Sequence, residues 1–212
     1  MRISRPAGDS GAADPGVRAA LAAYAGGTGT EHAVLTALAA ARLFVPVVAV
    51  HSDVNTGGTE KETEMALPTL IGNDGRRAVI AFTGTETLRR WQEDARPVPV
   101  PARRVWAAAL SEADAAVIDV AGPVQLVVEG ARLTALANGD PAPLPHEDPD
   151  IRAEVAAVTS DFTLAPGGPD ADLAVTLATT DMAMARETAQ RIAARLAPRL
   201  RRGIEIIPNV RG

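Results

Sequence analysis

Cysteine is absent from all 212 residues, which excludes thiolate nucleophiles, iron–sulfur ligation, thiolate zinc sites and disulfides together. Aromatic residues make up only 3% of the chain. The cores must therefore be built from Ala, Val, Leu and Ile, and little ring surface is left for stacking nucleic-acid bases. Lysine occurs once, as Lys61, and the formal net charge is −5 with an isoelectric point near 5.3. That balance disfavours a general polyanion-binding role, because neutralising phosphates needs concentrated positive charge. The longest apolar run, Leu43 to Val50, is too short to cross a bilayer, and MRISRPAGDSGAADPG at the start has no apolar secretory segment. A cytoplasmic protein with neither a membrane nor a nucleic-acid partner is the expectation. His32, His51 and His146 are the only histidines and show neither H-x-x-x-H nor H-x-H spacing. With Asp53 or Asp148 they could meet only through the fold, so surface positions are their default reading and no metal or cofactor is expected.

What is present describes an ordinary globular chain, with 47% hydrophobic and 22% charged residues. The length suits two small domains, each with its own core. The clearest segment is EMALPTLIGNDGRRAVIAFTGTETLRRW, Glu64 to Trp91. Met65 to Ile71 and Ala78 to Phe82 read as strands joined by Gly72-Asn73-Asp74-Gly75, whose Asp-Gly pair supplies the positive-φ positions of a hairpin turn. Thr83 and Glu86 then have capping-box spacing at a helix start. Upstream, Asp14-Pro15 opens a helix through Tyr24, and Thr30 caps a second that carries Val34, Leu35, Leu38 and Ala41 on one side. Leu43 to Val50 follows as a strand, with Pro46 indicating an edge or a bulge. Downstream, Pro97 to Pro101 is a stiff extended segment. A helix with Val105, Trp106, Ala109, Leu110 and Ala113 on its apolar face comes next, then strands at Ala115 to Val120 and Val124 to Val128, and a short helix over Gly130 to Ala137.

Residues 140–150, rich in proline and acids, are read as a linker. Beyond it the pattern gives strands at Ala153 to Leu164 and Leu173 to Ala178, a long helix over Asp181 to Arg199 and a strand at Ile204 to Ile207. The predicted fold class is α+β. A tail and short helix (1–29) precede a mixed sheet with flanking helices (30–139), and a small ββαβ domain (151–212) follows the linker.

Leu43-Phe44-Val45-Pro46-Val47, Glu64-Met65-Ala66-Leu67-Pro68, Gly75-Arg76-Arg77, Ala81-Phe82-Thr83, Trp91 and Arg96-Pro97-Val98-Pro99-Val100 together resemble the SseB-type N-terminal domain family, in its actinobacterial-like branch. Asp119-Val120-Ala121-Gly122-Pro123, Val128-Glu129-Gly130-Ala131 and Leu133-Ala135-Leu136 are similar to the continuation of that domain. The resemblance implies a mixed α/β domain and transfers no catalytic residue. Many relatives place Asn-Pro where this chain has Asp119-Val120.

No serine lies in G-x-S-x-G or S-x-x-K, and Gly27-Thr28-Gly29-Thr30-Glu31 completes neither a Rossmann nor a Walker pattern. The acidic run His146-Glu147-Asp148-Pro149-Asp150 lacks a calcium loop's glycine-centred geometry. The expectation is a non-enzymatic protein-binding or scaffold module of the SseB type. The alternative is a small-molecule or anion-binding regulatory domain using the helix start at Thr83 to Glu86. Candidate contacts are Thr83 and Thr85 at that start, Asp53 and Glu60 in the polar loop HSDVNTGGTEKET, and Arg191 and Arg195 on the long helix.

Overall fold

The computed structural model describes residues 10–47, 68–179 and 181–208. The polar loop with Asp53 and Glu60 therefore lies outside the described residues, as do His51, Ser52 and Lys61.

The fold is α+β. Helix α1 (Pro15–Ala25) starts at Asp14, whose Oδ1 accepts from the amides of Gly16 and Val17, and α2 (Glu31–Ala39) starts at Thr30, whose hydroxyl oxygen accepts from Ala33 N. Both caps satisfy backbone donors that a helix start leaves unpaired. Strand β1 (Arg42–Val47) pairs antiparallel with β4 (Arg96–Pro101), placing Pro46 opposite Pro97. In β4 only Arg96, Val98 and Val100 have N–H groups to give, and they stand opposite Val47, Val45 and Leu43. Alternate prolines thus leave the outer edge of β4 without donors, a form that resists edge-to-edge pairing.

The central sheet has the order β2-β3-β5-β6. Strands β2 (Thr69–Ile71) and β3 (Arg77–Ala81) form the expected hairpin, closed by Gly75 N donating to Gly72 O with Gly75 at φ +80°. Strand β5 (Ala115–Ile118) lies parallel to β3, and β6 (Leu126–Glu129) runs antiparallel to β5. The crossover between the parallel strands contains α3 (Thr85–Trp91), β4 and α4 (Ala102–Glu112). A reciprocal pair of bonds between Phe44 and Phe82 (2.7 and 2.8 Å) ties β1 to the end of β3.

Strand alternation divides the interior in two. Val79, Ala81, Ala116 and Ile118 face a core with α1, α2, α4 and α5 (Gly130–Asn138), in which Trp106 is fully buried. Ile80, Phe82 and Val117 face Leu88 and Trp91 of α3. Leu110, expected on the apolar side of α4, is 45% exposed instead.

The C-terminal region corrects one expectation. Residues 149–156 form a helix, α6 (Pro149–Ala156), and the strand placed at Ala153 to Leu164 is confined to β7 (Phe162–Pro166). Asp148 Oδ1 caps α6 through Asp150 N and Ile151 N, and Pro149 takes the first helical position, where its missing N–H costs nothing. Strands β7, β8 (Leu173–Leu177) and β9 (Ile204–Pro208) form a sheet in that order, with α7 (Met182–Leu196) on one face. That is the expected ββαβ unit preceded by α6. Ala185, Ile192, Leu196 and Leu200 join Ile151, Val155, Leu173, Val175 and Leu177 in its core.

Candidate functional site

Strands β3 and β5 end side by side, and their carboxyl ends open into a cleft of about 480 Å3. This is where parallel sheets ordinarily present ligand sites, because the connections diverge there. The floor is Asp119, which follows β5. Its amide donates to Ala81 O (2.9 Å), and its carboxylate reaches back to the chain leaving β3. Oδ1 accepts from Thr83 N (2.9 Å) and Thr87 Oγ1 (2.6 Å), and Oδ2 accepts from Thr83 Oγ1 (2.7 Å). Asp119 is 3% exposed and Thr83 4%. The backbone of Asp119 is left-handed, at φ +53°, alone among the described non-glycine residues. A tight turn holds it so: Gly122 N donates to Asp119 O (2.7 Å), and a Cβ on Gly122 would collide with Asp119.

Thr83 is therefore not a helix cap. Gly84 occupies the N-cap of α3 without a side-chain bond, and the Thr83 hydroxyl is spent on Asp119, a residue 36 positions away. The first amide of α3, Thr85 N, donates to Gly11 O (2.8 Å), and the Thr85 hydroxyl reaches the same carbonyl (3.2 Å). Residues 10–13 thus form one wall of the cleft. Leu21 and Ala22 of α1 and Pro123-Val124 supply apolar walls, with Arg18 and Arg90 also lining it. Arg90 pairs with Glu86 one helical turn away (2.6 Å).

Arg191 and Arg195 do not line this cleft. Arg191 is exposed on α7, and Arg195 Nε pairs with Glu154 Oε2 of α6 (2.6 Å). Arg195 lies instead on the wall of a second cleft, of about 770 Å3, between α7 and β6. At its base is a buried charge network that the sequence reading missed. Arg132 NH1 meets Glu31 Oε1 (2.5 Å), Arg199 Nε meets Glu31 Oε2 (3.3 Å) and Arg199 NH2 meets Asp148 Oδ2 (2.5 Å). Tyr24 Oη lies 3.2 Å from the carbonyl oxygens of Pro198 and Arg199. Burial raises the Glu31 carboxyl and lowers the Arg132 guanidinium, so for this pair desolvation outweighs mutual attraction. Burial alone would lower Arg199 too, but Glu31 and Asp148 together outweigh it and its pKa goes up. The charges of this network are committed to one another, and they join α2, α5 and α6 to the segment after α7.

Among the described residues no group of three or more His, Asp and Glu side chains is placed to hold a metal ion, and no helix is long and apolar enough to cross a membrane.

Fold and cleft together define a mixed α/β domain with a half-enclosed crevice at its parallel strand ends, followed by a ββαβ unit. The chain belongs to the SseB family: the family model for the SseB protein N-terminal domain matches residues 17–135, more than half of its length. Neither the curated proteins nor the solved structures provide a match.

Proposed function

We propose that this SseB-family chain is a non-enzymatic, cytoplasmic protein-binding or scaffold module. The observation that carries the reading is an apolar surface on α7 and β9. Met182, 62% exposed, stands at a groove lined also by Ala183, Ala185, Ala189 and Ile206, with Arg186, Glu187 and Gln190 completing its lining. Singly exposed apolar residues are ordinary, but a cluster at an unpaired sheet edge is what a partner surface presents. Strand β9 pairs only with β8 among the described strands, and methionine adapts its shape to a partner more readily than branched residues do. The buried polar groups support the non-enzymatic reading, because Glu31, Arg132, Arg199 and Asp148 are engaged with one another. The acidic balance supports a protein partner over nucleic acid or a membrane surface.

The test is affinity capture from the native host by the wild-type chain and by Met182→Glu. Met182 is largely exposed, so the melting temperature should hold. A protein retained by the wild type and lost by the variant supports the reading. Equal capture by both chains refutes it.

The alternative, a small-molecule or anion-binding domain at Thr83 to Glu86, divides on the geometry. Two of the donors that an anion would use are occupied, Thr85 N by Gly11 O and the Thr83 hydroxyl by a carboxylate. What remains is a cleft floored by acceptors.

A further inference from the structure

Three independent features converge on Asp119. It closes a cleft whose 480 Å3 falls in the range of small-molecule sites, with mostly apolar walls and a few converging polar groups. It sits at the carboxyl ends of two parallel strands. It is also held in a left-handed conformation that, glycine apart, few residues besides aspartate and asparagine accept, by a turn and by three hydrogen bonds. Backbone strain over-determined in this way concentrates at functional sites. A connection between strands alone would be served by glycine without that strain.

The hydrogen-bond inventory selects the ligand. A carboxylate offers about four lone-pair directions; Oδ1 accepts twice and Oδ2 once, leaving one direction on Oδ2. The Thr83 hydroxyl gives its single proton to Asp119, and that of Thr87 is shared between Asp119 Oδ1 (2.6 Å) and Gly84 O (3.0 Å), so what both still offer is lone pairs. Among the described residues no arginine or histidine lies within ion-pair distance of this carboxylate. The floor is therefore rich in acceptors and lacks a counter-cation. At the floor itself an anion would meet the Asp119 carboxylate, with the Thr83 amide and hydroxyl already turned to it. A primary ammonium carries three donors and one positive charge, the complement of this floor. Of the two arginines that line the cleft, Arg90 is paired with Glu86 and Arg18 is exposed on α1, and neither pairs with Asp119.

We propose that the cleft binds a small organic ammonium compound, its cation on Asp119 and the two threonine hydroxyl oxygens and its hydrocarbon portion against Leu21, Pro123 and Val124. The test is titration of the full-length, 15N-labelled chain with propylammonium chloride, following the amides of Thr83, Gly84 and Thr87. 1-Propanol and sodium propionate at matched ionic strength serve as the neutral and anionic counterparts. Saturable shifts at these amides with the amine alone are expected. Asp119→Asn keeps the size and tolerates the left-handed backbone, and it should weaken binding about tenfold or more, the worth of a charge-assisted hydrogen bond. Ala22→Trp, an exposed position on the wall, should block the cleft while leaving the fold intact, and it carries the comparison if the Asn variant does not fold. Absence of saturable shifts with the amine overturns the proposal. Equal affinity for propanol or propionate does so too, as does undiminished binding in a folded variant.

Discussion

Replacing Arg132 by methionine tests the buried network directly, because it removes one charge and keeps most of the side-chain volume. Arg132 is 3% exposed and Glu31 7%, and their 2.5 Å contact is the shortest link in the network apart from its equal between Arg199 and Asp148. Without Arg132, Glu31 keeps only Arg199 at 3.3 Å. Breaking a buried pair by deleting one member costs about 3–5 kcal/mol, since the remaining charge stays desolvated. For a chain of this size that corresponds to a melting temperature lower by about 6–20 °C. Arg132 Nε is buried without a hydrogen-bond partner, a further cost of keeping the guanidinium there. Removing both members, as Glu31→Leu/Arg132→Met, should therefore be less damaging than Arg132→Met alone, with Arg199 still held by Asp148. The pH dependence has a definite sign. Burial raises the Glu31 carboxyl above its ordinary value, so its contribution is fully present below the usual glutamate range and is lost as pH rises through the raised value. Deleting Arg132, the strongest of the attractions that lower it, pushes the carboxyl further up. The stability gap between wild type and Arg132→Met should thus narrow as pH falls from neutral towards the ordinary glutamate range. Urea unfolding of the four chains of the cycle at several pH values measures all of this. A single-variant cost below about 0.5 kcal/mol, or single-variant costs that simply add in the double variant, would refute the reasoning.

Two further substitutions separate local from tertiary roles. Thr83→Val removes a buried donor to a carboxylate and should cost about 1.5–3 kcal/mol in chemical denaturation, while Thr83→Ser, which keeps the hydroxyl, should cost far less; equal costs would return the residue to a packing role. Leu196→Ala, at a position 1% exposed in the C-terminal core, should cost about 2–5 kcal/mol, and a loss below about 0.5 kcal/mol would mean that α7 does not anchor that core.

The elements that were legible in the sequence share a property: local chemistry fixes them. The hairpin at Gly72 to Gly75, the caps at Asp14 and Thr30 and the apolar stripe of α7 rest on neighbours within a few residues. The one missed helix was legible on the same terms. Asp148-Pro149 repeats the Asp14-Pro15 signal that opens α1, but it sits in a stretch whose prolines and acids suggest a linker. Ile151 and Val155, four residues apart and fully buried, supply the helical spacing.

The polar sites were hidden for a different reason, which bears on how such sites are found. Glu31 in the first turn of α2 is well explained locally by the helix dipole, and Arg132 by an ordinary helix surface. Only the fold brings these two together across 101 positions, and Arg199 to Glu31 across 168. Thr83 shows how a sufficient local account misleads. The capping box explained it completely, yet a carboxylate 36 residues away offered its hydroxyl a buried, charge-assisted bond, and a cap exposed to water competes poorly with that. One local signal did point to the site. Asp119 ends a fully buried strand three residues before Gly122, and aspartate is among the few side chains that accept the left-handed region the turn imposes. An acid placed where a buried strand must turn sharply has to find its partners inside the molecule. The donors that it found, Thr83 and Thr87, are the side chains that turn the end of the neighbouring parallel strand into a floor of acceptors.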